Sequence, residues 1–207
     1  MFTSVIFDFD GTLVDSREIA LLVYRRLTRK HQLPELTPEA LETLKNLPIL
    51  DRLKVMRYPV YRLPEIFREM KKAYRENLAT LSPYPGIREV LGTLAGRGYD
   101  LHILSSNSRD NIAPFLKTHD MEVFSSIRTS PGLFRKHRTL RRLLRELGIP
   151  GQKALYVGDE LRDIEACRTA GVPVLAVTWG YDAPALLDRG SPDFMVDRPR
   201  EILDLLP

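Results

Sequence analysis

The sequence predicts an α/β fold: a doubly wound, Rossmann-like parallel sheet, interrupted soon after its first strand by an inserted bundle of helices. Three observations carry this expectation. Short apolar runs rich in strand formers recur along the chain at Val5–Phe9, Asp100–Leu104, Ala154–Val157 and Val174–Val177. Stretches with helical spacing separate the later ones, and strands alternating with helices imply βαβ units with right-handed crossovers. Between Ser16 and about Ser82, in contrast, nothing alternates like a strand.

In chain order, Val5–Phe9 is read as a strand running into the tight loop signalled by Gly11 and Thr12. In residues 16–82, Ile19, Leu22, Val23 and Leu27, then Leu41, Leu44 and Leu47, recur at helical spacing. Prolines 34, 38, 48, 59 and 64 divide this segment into about four helices. After Ser82-Pro83-Tyr84-Pro85-Gly86 the spacing predicts a helix over 87–95, stopped by Gly96 and Gly98. A buried strand is expected over 100–104, a helix over 111–117, a short strand over 125–129 and a basic helix from about His137 to Leu147. A strand over 154–157, a helix over 163–170 and a strand over 174–177 follow. Phe194–Val196 is expected as an edge strand, and a closing helix lies near Glu201–Leu206. The organisation is therefore a core of residues 1–15 plus 83–207 with a helical unit of residues 16–82.

Composition narrows the class. At 207 residues, with 43% apolar and 28% charged side chains, the chain suits one well-buried core plus a modest second unit. No apolar run approaches the roughly 18 residues needed to cross a bilayer, and the first residues lack a signal-peptide pattern, so a cytoplasmic location is expected. The single cysteine, Cys167, excludes an internal disulfide and reads as a small core residue. The net charge of +4 is mildly basic. Arg135, Lys136, Arg138, Arg141, Arg142 and Arg145 form a basic run, but no aromatic residues interleave after Phe134, so a solvated helix face is expected rather than a nucleic-acid partner. His31, His102, His119 and His137 lack ligand spacing and are expected to be structural or superficial. Trp179-Gly180-Tyr181 reads as packing at the edge of the core.

Chemistry concentrates at strand ends. Asp8 and Asp10, two residues apart, point to the same side of an extended chain. Confined carboxylates repel unless one is protonated or a cation neutralises them, and magnesium, which favours oxygen ligands, suits such a site. The plain alternative is a solvated strand-to-turn junction. Gly158-Asp159-Glu160-Leu161-Arg162-Asp163 repeats the design at the end of a second apolar strand, with Asp163 one helical turn beyond Asp159. Acids decorating a helix N-terminus are its plain alternative. Ser106 and Asn107 follow another strand and offer phosphate donors or, alternatively, a helix cap. Lys136 opens the basic helix and is either a site cation or ordinary surface charge.

Asp8-Phe9-Asp10-Gly11-Thr12 resembles the first motif of the haloacid dehalogenase superfamily. Ser106-Asn107 is similar to its second motif, Lys136 to its third, and Gly158-Asp159 with Asp163 to its fourth. All four stand in order, and the helical insert resembles the cap of the subfamily containing phosphoglycolate phosphatases, pyrophosphatases and β-phosphoglucomutase. The resemblance implies a magnesium-dependent phosphatase acting on a small phosphorylated metabolite. Asp8 would be the nucleophile that becomes an aspartyl-phosphate, and Asp10 the general acid and base. Ser106, the Asn107 backbone and Lys136 would hold the phosphoryl oxygens. Asp8, the Asp10 carbonyl and Asp159 would bind the metal, with Asp163 as ligand or support. A pyrophosphatase or phosphosugar mutase uses the same core, and a binding module without turnover is the non-enzyme alternative. Dehalogenases lack an acid at the position of Asp10, so its presence favours phosphoryl transfer. Two departures stand out: Ser108 replaces the lysine frequent in phosphoglycolate phosphatases, and His137 follows Lys136 where proline is common. The insert holds 14 Lys and Arg against 8 Asp and Glu, a net of +6 in a chain of +4, which suggests a lid that attracts anionic substrates.

Overall fold

The computed structural model describes residues 1–207 except 36, 131 and 133. Six strands form one sheet: β1 (Ser4–Phe7), β2 (Asp100–Ser105), β3 (Ser126–Thr129), β4 (Ala154–Gly158), β5 (Val174–Val177) and β6 (Phe194–Val196). Their order is β3-β2-β1-β4-β5-β6 and every pairing is parallel. β1 is central, with Phe7 opposite Ile103 on one side and Val157 on the other. Strand order reverses between β1 and β4. Crevices at such a switch point, beyond the carboxyl ends of the strands, are where α/β sheets bind ligands.

Successive residues of the central strands go to opposite faces. Val5 and Phe7 join one apolar cluster, with Leu101, Ile103, Leu155 and Val157. Ile6 joins the other, with Leu104, Tyr156 and Ala176. All are buried, each contributing about 1.5–3 kcal/mol for a full-sized aliphatic or aromatic side chain. Both faces are covered, which is why these strands read as continuous apolar runs rather than alternating ones.

The insert between β1 and β2 contains α1 (Arg17–His31), α2 (Pro38–Lys45), α3 (Ile49–Val55) and α4 (Leu63–Asn77). α1 packs along α4, and its buried residues Ile19, Val23 and Leu27 recur every four positions. The first apolar cluster runs without a break from the sheet into Ile19, Val23, Leu27 and Leu53, so the insert is welded to the core by shared burial. Beyond it lie α5 (Ile87–Gly96), α6 (Arg109–Thr118), α7 (Lys136–Leu147), α8 (Leu161–Ala170), α9 (Pro184–Arg189) and α10 (Ile202–Leu205). α9 was not anticipated, because six residues are too few to display a helical period. The closing helix is shorter than expected, since Pro199–Glu201 forms a 3₁₀ turn ahead of α10. Cys167 is buried as a core residue, and Arg138, Arg141, Arg142 and Arg145 lie on the exposed face of α7. No helix among the described residues is long and apolar enough to cross a membrane.

Candidate active site

Asp8 and Asp10 follow β1, Ser106 and Asn107 follow β2, and Asp159 to Asp163 follow β4, so the topology brings three chain segments to one end of the sheet. Lys136, the first residue of α7, enters from the side. It is buried, and its ammonium donates to Asp8 Oδ2 at 2.6 Å and to Asp163 Oδ1 at 2.5 Å. Asp8 Oδ1 accepts the Phe9 N–H at 2.7 Å, which fixes the carboxylate against its own backbone.

Asp10 is held on both oxygens. Oδ2 accepts from the Asn107 side-chain amide at 3.0 Å, and Oδ1 accepts from the hydroxyl of Tyr74, a buried residue of α4. Asn107 therefore reaches the site by its side chain. Its backbone N–H, expected to hold a phosphoryl oxygen, donates instead to Ser105 Oγ at 3.1 Å. Ser106 is half-buried at the strand end.

Asp159 is buried beneath this layer. Its Oδ1 accepts from Thr12 Oγ1 and its Oδ2 from the Tyr181 N–H, both at 2.8 Å. Gly11 makes the close approach possible: at φ +79°, an added Cβ would stand 2.1 Å from Asp159 Oδ2. Gly180 approaches it as closely, and an added Cβ there would lie 2.3 Å from Asp159 Oδ2. The Trp179-Gly180-Tyr181 segment, read from sequence as edge packing, thus forms a wall of the site, and the Tyr181 hydroxyl pairs with Ser16 Oγ at 2.7 Å.

The three acids whose oxygens gather most closely are Asp8, Glu160 and Asp163, with one oxygen of each within 4.8 Å of the others. Glu160 was not singled out from sequence, although it stands inside the acidic run. Asp159, expected as a metal ligand, is tied to Thr12 and Tyr181 and lies outside that group. Asp163 Oδ2 is a buried acceptor with no hydrogen-bond partner among the described residues. An all-oxygen donor set with an orphaned carboxylate oxygen fits a hard divalent cation.

The charge balance points the same way. Among the described residues, the cations paired with the group Asp8, Asp10, Asp159, Glu160 and Asp163 are Lys136 and Arg162, so negative charge is in surplus. Burial, then Glu160, Asp8 and Asp163, hold the Asp159 carboxyl well above its ordinary pKa. Burial likewise raises Asp163 despite the ammonium beside it, because Asp8 and Glu160 add to the effect. Burial alone would lower the Lys136 ammonium, but Asp163 and Asp8 outweigh it and keep the amine firmly charged. Asp10 is pushed up to about 6, chiefly by burial, against the opposing hydrogen bond from Tyr74. Such a carboxyl exchanges protons near neutral pH, as acid–base chemistry requires.

The insert touches the core beside this site. Arg52 of α3 pairs with buried Asp182, whose other oxygen accepts the Leu161 N–H at 2.6 Å. The Ala183 N–H donates to the Lys45 carbonyl at 2.9 Å. Among the insert helices a cavity of about 550 Å³, with Leu21, Leu44, Met56 and Met70 in its walls, reaches Gly180 and Tyr181.

Residues 5–177 match the family described as haloacid dehalogenase-like hydrolase. A phosphoglycolate phosphatase of Synechococcus elongatus is 29% identical over 97% of this chain and 95% of its own length. A pyrophosphatase of Bacillus cereus is 26% identical over 98% of this chain and 95% of its own. A haloacid dehalogenase-like hydrolase family protein from Streptococcus pneumoniae has the same fold, with a TM-score of 0.84 over 100% of this chain and 99% of that one, at 22% identity.

Proposed function

The chain belongs to the haloacid dehalogenase-like hydrolase family, and from that premise we propose that it is a magnesium-dependent phosphatase cleaving a small phosphate monoester through an aspartyl-phosphate on Asp8. The observation that carries this reading is the pair of strand-end acids. Asp8 is buried with one oxygen on a charged lysine, and Asp10, two residues on, is held at both oxygens with its pKa near 6.

In the first step an Asp8 oxygen attacks phosphorus, the bond to the ester oxygen breaks, and Asp10 gives its proton to the departing alcohol. In the second, water attacks the phosphorus of the aspartyl-phosphate, Asp10 takes the proton from that water, and the Asp8 carboxylate is released with inorganic phosphate. Lys136, with three N–H donors, swings part of its grip from Asp8 to the phosphoryl oxygens as charge builds there, and Ser106 Oγ adds a further donor. Asp8, the Asp10 carbonyl, Glu160 and Asp163 would hold magnesium, with Asp159 bracing the Gly11 loop behind them. A bound magnesium ion supplies charge neutralisation for the phosphoryl group. Residues 16–82 act as a cap over the core of residues 1–15 plus 83–207, keeping bulk water from the intermediate.

Names of relatives divide among phosphoglycolate, pyrophosphate and N-acetylmuramic acid 6-phosphate chemistry. The apolar cavity favours a second reading of the leaving group, as an alcohol with an apolar arm too large to be glycolate. A panel of phosphate esters graded in size, assayed with magnesium, ranks these substrates. Asp8→Asn tests the chemistry common to all. It should abolish turnover and the acid-trapped phospho-enzyme, and activity within tenfold of wild type would refute the covalent route.

A further inference from the structure

Tyr74 lies on α4, far in sequence from every residue that the motifs identify, yet its ring packs 6.4 Å from that of Phe9 and its hydroxyl reaches Asp10 Oδ1. Asp10's other oxygen is held by Asn107 Nδ2. The orientation of that amide follows from its partners: Asn107 Oδ1 accepts from the Ser108 N–H and from Asn111 Nδ2, both at 2.8 Å, which leaves the NH₂ end facing Asp10.

These two partners differ in one chemical respect. An amide NH₂ donates only, so it serves Asp10 as a carboxylate and offers nothing to a carboxylic proton. A phenol keeps its own proton until a pH of about 10, and it both donates and accepts. It can therefore donate to ionised Asp10 and, by turning its O–H, accept from neutral Asp10.

We infer that Tyr74 is a positioning residue: with Asn107 on Oδ2, its hydroxyl on Oδ1 fixes the orientation in which the Asp10 carboxyl meets the leaving group. Because α4 belongs to the insert while Asp10 belongs to the β1 loop, the arrangement is complete only when the insert is seated on the core. The inference rests on the acid–base role proposed for Asp10.

Tyr74→Phe keeps the ring against Phe9 and removes only the oxygen. The readout is kcat/KM, which covers phosphoryl transfer but not the later hydrolysis, for two esters. One is the alkyl phosphate of the panel turned over fastest, whose leaving group needs a proton. The other is p-nitrophenyl phosphate, whose leaving group does not. The expected result is a loss of roughly 10- to 100-fold for the alkyl ester, part of the 10²- to 10⁴-fold supplied by a general acid, and a several-fold smaller loss for the nitrophenyl ester. Equal losses would overturn the inference, since a purely structural role moves both alike. Against an Asp10→Asn background, Tyr74→Phe should cost the alkyl ester nothing further; a full additional loss would show that Tyr74 acts elsewhere. If Asp10→Asn alone lowers both esters equally, the acid–base reading of Asp10 fails first and takes the role of Tyr74 with it.

Discussion

Gly11→Ala is expected to be among the most damaging single-methyl additions in the chain, and Gly98→Ala provides its control. Both glycines are left-handed, with φ +79° and +84°. An alanine in that region costs about 1–2 kcal/mol, partly offset by the 0.4–1 kcal/mol gained from a stiffer unfolded chain. At Gly98 nothing lies within 4 Å of the added carbon, so the backbone term is the whole effect. At Gly11 the carbon would meet Asp159 Oδ2 at 2.1 Å, Asp159 Cγ at 2.6 Å and Tyr181 Cδ2 at 2.7 Å. Asp159 must then leave the hydrogen bonds from Thr12 and the Tyr181 N–H, each costing about 1.5–3 kcal/mol because buried polar groups are left unpaired. The difference between the two variants is therefore about 3–6 kcal/mol. At roughly 2–4 °C per kcal/mol for a chain of this size, Gly11→Ala should melt about 6–24 °C below Gly98→Ala. Differential scanning calorimetry on the two proteins measures this. Melting temperatures within 2 °C of one another would refute the claim that Gly11 is required by the approach of Asp159.

Lys136→Met should destabilise the fold by about 3–5 kcal/mol at pH 7 in urea titrations, because it strands Asp8 and Asp163 without their shared cation. An unchanged midpoint would contradict the pairing. Magnesium should raise the melting temperature of the wild type and chelator should reverse the rise, whereas Asp163→Asn should respond to neither; a full response in that variant would remove Asp163 from the metal site. In the metal-free protein the folded pKa of Asp10 lies above its ordinary 3.8, at about 6. The folded state therefore holds the extra proton between these values, and stability is lost as pH rises from about 4 to about 6. Asp10→Asn should gain on the wild type by about 2–3 kcal/mol across that window and run parallel above it. A pH-independent difference in unfolding free energy would show that burial does not disfavour the Asp10 charge.

Residues whose placement follows from local geometry were legible in the sequence. Val5–Phe7 and Ala154–Val157 announce central strands because both sheet faces are covered, and acids placed directly after such runs fall on the rim of the sheet. Asp8, Asp10, Asp159 and Asp163 could thus be nominated together, while Lys136 drew its meaning from the resemblance alone, since an ammonium opening a basic helix carries no local sign of burial. Residues whose role depends on a distant approach left no such signal. Tyr74 is one tyrosine on a helix of the insert, and only the seating of α4 over the β1 loop joins it to Asp10. Gly180 passed unnoticed because its contribution is a missing side chain. The partner of the Asn107 backbone was not legible either: a neighbouring hydroxyl, Ser105 Oγ, accepts its N–H here, and adjacency in sequence does not say which acceptor wins.

The central position of β1 has a consequence for biosynthesis. Val5 finds its sheet partners in Leu101 and Leu155, which are synthesised long after it. Until both have been translated, an apolar strand with two open edges waits without its neighbours, and long-range pairings of this kind close slowly. The insert helices α1–α4, which lie between β1 and β2 in the chain, emerge during that interval and can shelter it. Truncation before β4 leaves the nascent chain with that edge uncovered, a state suited to chaperone capture or aggregation.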